Sequence, residues 1–175
     1  MEIKKHMNNQ SNMDSKTSAL RAARIAVFAA LSVIGSFITP YPLIPTIAFD
    51  SAPGFFAALY FGALDGFIIT GLGHLVTAMI NGFPLGSLHY VIALGMAIAG
   101  GTMGLVNKTN KKWGFIPATI AAVAINTALS VIMIPTMGWT TTFAVVTVPL
   151  LMAASLNAVL AALIYVGVRA RRLRA

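Results

Sequence analysis

Twelve basic residues fall into three groups, and the intervals between the groups constrain the fold more than any other feature. They are Lys4, Lys5, Lys16, Arg21 and Arg24, then Lys108, Lys111 and Lys112, then Arg169, Arg171, Arg172 and Arg174. No Lys or Arg lies between Arg24 and Lys108, or between Lys112 and Arg169. Long apolar intervals bounded by cations are the pattern of a chain that crosses a bilayer repeatedly. Composition agrees: 58% of residues are hydrophobic and 9% are charged, against ~25% charged in soluble domains. A net charge of +8 would by itself suggest nucleic acid, but cations confined to the edges of apolar blocks serve orientation instead. Soluble enzyme, nucleic-acid-binding and secreted classes are excluded, and the bilayer is the expected surroundings. With no cysteine, disulfides and thiolate chemistry are excluded too.

Residues 1–18 are polar and are expected to form a disordered cytoplasmic tail, followed by a membrane domain over 19–170 and a basic tail over 171–175. The apolar stretch from Ile25 is longer than a signal-peptide core and has no small-residue cleavage site ahead of a polar chain. It reads as a retained first span.

Punctuation within the apolar blocks sets the helix count. Pro40, Pro42 and Pro45 break the first block. Asp50-Ser51-Ala52-Pro53 reads as a helix start, capped by Asp50 or Ser51 with Pro53 in the first turn. Leu64-Asp65-Gly66 reads as a tight turn and Asn81 to Gly86 as a stronger one, while Lys108–Gly114 and Pro135–Trp139 close later runs. The expected spans are 20–39, 52–64, 66–81, 86–107, 114–134 and 143–168, the second and third being short for a ~30 Å core. If all basic groups are cytoplasmic, an even number of spans must separate them. The fold class is therefore all-α, a polytopic membrane protein with six transmembrane helices and both termini cytoplasmic. The inner turn at Asp65 carries no cation of its own.

Small residues recur at four-residue spacing: Ala22, Ala26 and Ala30; Ala93, Ala97 and Gly101; Ala154, Ala158 and Ala162. Such rows let helices approach closely in lipid. Internal packing is the default role of any such row; docking to another membrane subunit is most attractive for the first row, which continues to the cytoplasmic end.

Polar groups inside a membrane are costly and therefore informative. His74 and Asn81 share a helix face at i and i+7 spacing. His89 and Tyr90 begin the fourth span, and Asn126 and Asn157 lie nearer mid-membrane. With Tyr41, Trp139 and Phe83 they can line a pocket that opens outward and combines aromatic walls with a few hydrogen-bonding groups. Each also has a structural alternative, as interhelical hydrogen bonding or as an interfacial aromatic belt. No Lys or Arg falls in the outer half, which disfavours anionic ligands and favours neutral, aromatic or mildly cationic ones. Asp50 either pairs with a cation or caps its helix.

Other mechanisms lack their residues. There is no P-loop sequence. His74 is the one candidate for a mid-membrane proton carrier. No G-x-S-x-G occurs, and His74 and His89 have no carboxylate companions for a metal. No catalytic residue, metal or cofactor is expected.

The run Ile44 to Gly54, the run Gly82 to His89 and the Ala22/Ala26/Ala30 row together resemble the S components of energy-coupling factor (ECF) vitamin transporters, over about residues 20–170. The resemblance implies a subunit without enzymatic activity in the bacterial plasma membrane. Such a subunit binds one vitamin from outside beneath a first-loop lid, then docks on a membrane coupling subunit carrying two ABC-type ATPases. It implicates His89, Tyr90, Asn126, Trp139 and Asn157 in the pocket and matches the alanine row to the family's docking motif. Within the family the chain looks most like members assigned to α-ribazole, a neutral nucleoside precursor of cobalamin, with riboflavin and hydroxymethylpyrimidine next. Apart from the resemblance, a self-sufficient secondary carrier is the main alternative and an intramembrane enzyme the third.

Overall fold

The computed structural model describes residues 2–39 and 47–172, with side chains from Ser15 onward. The described residues are helical and contain no strand. The elements are α1 (Glu2–Ser36), α2 (Ala52–Tyr60), α3 (Ala63–Ile80), α4 (Leu88–Asn107) and α5 (Phe115–Ala128). A 3₁₀ turn (Leu129–Met133), the short α6 (Ile134–Met137) and α7 (Trp139–Thr141), a π-helical turn (Thr142–Thr147) and α8 (Val148–Arg172) complete the chain. Among the described residues, five segments are long and apolar enough to cross a membrane: Ser15–Ser36, Ala63–Ile80, Leu88–Asn107, Phe115–Met137 and Trp139–Arg172. The polarity is inverted relative to a water-soluble protein. Ile34, Leu94, Ile120 and Leu163 are exposed, whereas Asp50, Thr70, His89, Asn126 and Asn157 are buried, as a bilayer demands.

Several boundaries differ from the sequence reading. α1 begins at Glu2, well before the expected start at 20, because extending an existing helix costs far less than nucleating one. α2 has nine residues, about 14 Å of helix, or half the hydrocarbon thickness. The crossing is completed by residues 47–51, of which Ile47, Ala48, Asp50 and Ser51 are buried. Irregular backbone at that depth is tolerated because protein surrounds it. The α2–α3 reversal lies at Gly62, whose φ of 114° suits glycine, and not at Leu64–Gly66. Asp65 instead occupies the first turn of α3, where the helix dipole favours an acid. Between the fifth and sixth spans the expected loop contracts to Gly138, at φ 74°, with helix on either side.

All basic groups with described side chains beyond Lys16 gather at one end. Arg21 and Arg24 lie 3.4 and 3.9 Å from the Asp65 carboxylate, which supplies the inner turn with the cations its own sequence lacks. Arg24 also stacks 4.6 Å from the Phe61 ring centroid and Arg172 lies 5.7 Å from that of Tyr60. Asn107 donates to the Leu59 carbonyl at 2.9 Å, closing the end of α2. The core is built on small side chains, including Ala58, Ala99, Ala118, Ala122, Ala158 and Ala161. α3 and α4 approach so closely that a Cβ on Gly66 would sit 2.8 Å from the Gly100 carbonyl oxygen. The α4 and α8 small-residue rows are buried; Ala22, Ala26 and Ala30 are all exposed.

Candidate functional site

Away from the basic end, the bundle encloses a cavity of about 70 Å³. Its walls come from residues 47–51, α3, Leu85 of the following loop, α4, α5, the 3₁₀ and π-helical turns and α8. Asp50, Ser51, His74, Asn126, Ser130 and Asn157 supply its polar lining, and Met96, Leu129, Met133 and Val146 much of the rest. Among the described residues, no Lys or Arg lines it. The volume accommodates a few water molecules, so the walls must part to admit a vitamin-sized ring system.

Asn157 fixes the outer wall. Its Oδ1 accepts the Ala52 N–H at 2.8 Å, and its Nδ2 donates to the Ala48 and Ala153 carbonyls, both at 2.9 Å. Ala52 begins α2, so this side chain caps α2 from another helix. The expected cap from Asp50 or Ser51 does not form: Ser51 is itself at helical angles and makes no capping bond, whereas a cap residue needs extended ones. Ser51 donates instead to Asp50 Oδ1 at 2.9 Å, and Asp50 Oδ2 is buried with no partner.

His74 and His89 form a pair, with Nε2 of His74 3.2 Å from Nδ1 of His89. The Leu85 N–H donates to His89 Nε2 at 3.2 Å, which makes that nitrogen an acceptor and assigns the His89 proton to Nδ1. His89 therefore donates to His74 Nε2, leaving Nδ1 as the proton-bearing nitrogen of His74. The loop that delivers Leu85 depends on left-handed backbone at Gly82, Phe83 and Gly86 (φ 73°, 51° and 56°).

Of the eight residues expected in a pocket, the structure brings His74, Asn126 and Asn157 to the cavity and sets His89 behind His74. Asn81 closes the end of α3 by donating to the Thr77 carbonyl at 2.8 Å. Tyr90 is exposed and packs on Phe83. Trp139 is 75% exposed and borders a separate groove with Thr127, Thr142 and Phe143. Both positions suit an aromatic belt. Tyr41 lies outside the described residues. Sequence reasoning counted Ser130 among the intramembrane polar residues but left it out of the pocket, where it accepts from Thr147 at 2.9 Å, and treated Asp50 chiefly as a cap. Its neighbours Pro53 and Ser51 carry a strong helix-start signal, and only the Asn157 bond, 105 residues away, overrides it.

The family model described as "ECF transporter, substrate-specific component" matches residues 20–169. No curated protein and no solved structure matches the chain.

Proposed function

The chain belongs to the substrate-specific components of ECF transporters, a family of substrate-binding membrane subunits, and from that premise we propose its cargo, its docking surface and its location. It captures a neutral, aromatic vitamin or vitamin precursor at the outer face of the bacterial plasma membrane. α-Ribazole is the first choice, with riboflavin and hydroxymethylpyrimidine next. The observation that carries this reading is the cavity remote from the basic end. It offers Asn126, His74, Ser130 and Asp50 and, among the described residues, no Lys or Arg, a lining poor for a carboxylate or phosphate and suited to a neutral heterocycle. Docking on a coupling subunit with two ATPases then uses Ala22, Ala26 and Ala30. Support comes from contrast: the rows on α4 and α8 are consumed by the bundle, and only the α1 row is left exposed.

A self-sufficient secondary carrier is the competing reading, favoured by the location of two titratable groups, Asp50 and His74, on one buried cavity. Purified protein separates the two. Mass spectrometry of small molecules released on denaturation should identify the cargo. The same protein in liposomes should bind that molecule without accumulating it, and gradient-driven accumulation by this chain alone would refute the subunit reading.

A further inference from the structure

The Asp50 side chain is in an unusual electrostatic position. The residue is 4% exposed and lines the cavity, and its Oδ2 has no hydrogen-bond partner. Its other oxygen accepts from the Ser51 hydroxyl at 2.9 Å, and the backbone N–H groups of Asp50 and Ser51 also face the carboxylate. The Thr77 hydroxyl, which also faces this carboxylate, is committed to the Gly73 carbonyl at 2.9 Å. Among the described residues, no Lys or Arg lines the cavity to balance it. A buried carboxylate oxygen without a donor is destabilising, and the helix-capping role that would explain an acid here is filled by Asn157. The remaining polar lining has the opposite character. His74 retains a proton on Nδ1, and Asn126 makes no side-chain hydrogen bond to the described residues, so both can donate to a ligand.

We propose that Asp50 is a ligand-contacting, specificity-determining residue whose free oxygen accepts a hydrogen bond from a hydroxyl or amino group of the cargo. Resting on the binding function above, this narrows the substrate to a carboxylate-free ligand with a donor at the end nearest residues 47–51. Because the nitrogens of the benzimidazole in α-ribazole carry no proton, only its ribose hydroxyls can meet Asp50. For that ligand the orientation follows: ribose toward Asp50, ring toward the Met96, Leu129 and Met133 wall.

The test measures affinity and thermal stability together, using α-ribazole, riboflavin and hydroxymethylpyrimidine as probes against purified wild-type, Asp50→Asn and Asp50→Ala proteins. For the probe that wild type binds, Asp50→Asn should lose roughly tenfold to a hundredfold in affinity, the range of one charge-assisted hydrogen bond. Its ligand-free melting temperature should equal or exceed that of wild type, since a neutral isostere removes an uncompensated buried charge. Asp50→Ala should lose at least as much affinity. Variants that bind within twofold of wild type would overturn the role of Asp50 while leaving the binding function intact. Asp50→Asn that loses stability and affinity together would assign Asp50 to the scaffold and overturn the proposal. Wild-type protein that binds none of the probes would overturn the binding function as stated, and this proposal with it.

Discussion

Replacing Asn157 by alanine isolates the bond set that holds the outer wall. Three hydrogen bonds of 2.8–2.9 Å connect this side chain to Ala52, Ala48 and Ala153, and the residue is 2% exposed. The Ala153 bond is local to α8 and its carbonyl has other intrahelical options, so its loss costs little. The other two are long-range. Truncation strands the Ala52 N–H and the Ala48 carbonyl, each buried polar group costing about 1–3 kcal/mol when unpaired. The adjoining cavity admits water, which favours the lower half of that range, so about 2–4 kcal/mol in total is expected. That free energy falls on the opening of residues 47–52, because α8 keeps its own ladder. Hydrogen–deuterium exchange of a peptide covering this segment is the direct assay. Protection should drop by roughly a hundredfold, while peptides from α3 and α4 stay unchanged. An exchange rate within threefold of wild type would refute the reasoning, since it would mean that Asn157 does not cap α2.

Three shorter predictions follow from other contacts. Ala26→Trp should abolish substrate uptake by the assembled transporter and leave binding to the isolated subunit unchanged, because Ala26 is exposed; lost binding in the isolated subunit would assign the row to internal packing. His89→Ala should weaken binding about tenfold by freeing His74 Nε2 and the Leu85 N–H, as read by titration of the purified variant, with unchanged affinity excluding any orienting role. Gly100→Leu should lower the melting temperature in detergent sharply, because its Cβ would lie 2.9 Å from the Gly66 carbonyl carbon and overpacking against backbone costs at least about 1–3 kcal/mol; a melting temperature equal to wild type would show that α3 and α4 can separate cheaply.

The bilayer topology was legible because it rests on additive, local signals. Cations at helix ends, Gly and Pro between them, and unbroken apolar runs each act within a few residues. Span lengths were less legible. Nothing local says that α2 stops after nine residues, because the crossing is completed by residues 47–51, and their burial depends on the rest of the bundle. Pairings across the fold were hidden for the same reason. Asp65 meets Arg21 and Arg24 from α1, and Ala52 meets Asn157 from α8; neither partner can be chosen from spacing along the chain. At the site, polarity identified His74, Asn126 and Asn157, whereas Tyr90 and Trp139 show that an aromatic near a membrane interface gives no indication of which way it faces.

The same contacts indicate which wall of the cavity is fixed and which can yield. α3 is held at both ends. Near the basic end Asp65 joins it to α1, Gly66 abuts Gly100, and the Thr70 hydroxyl lies 2.7 and 2.8 Å from the Gly66 and Met96 carbonyls. Toward the cavity, His74 meets His89 of α4. Backbones in contact cannot slide without clashing, so the α3/α4 wall is expected to keep its shape when ligand enters. The two facing walls are held differently. One is residues 47–52, attached to α8 through Asn157 and to α1 by the Phe49 N–H bond to the Ile38 carbonyl at 3.0 Å, with Gly35 packed directly against the Phe49 carbonyl. The other is the 3₁₀ and π-helical pair, linked by the Thr147–Ser130 bond and departing from the α-geometry that would saturate its backbone. A cavity of about 70 Å³ must open to hold a nucleoside-sized cargo, and the 3₁₀ and π-helical side is the one expected to yield. Opening there leaves α1, with its exposed alanine row, anchored to α3 through Asp65. In the docking proposed above, the exposed alanine row of α1 and the cavity are separate surfaces.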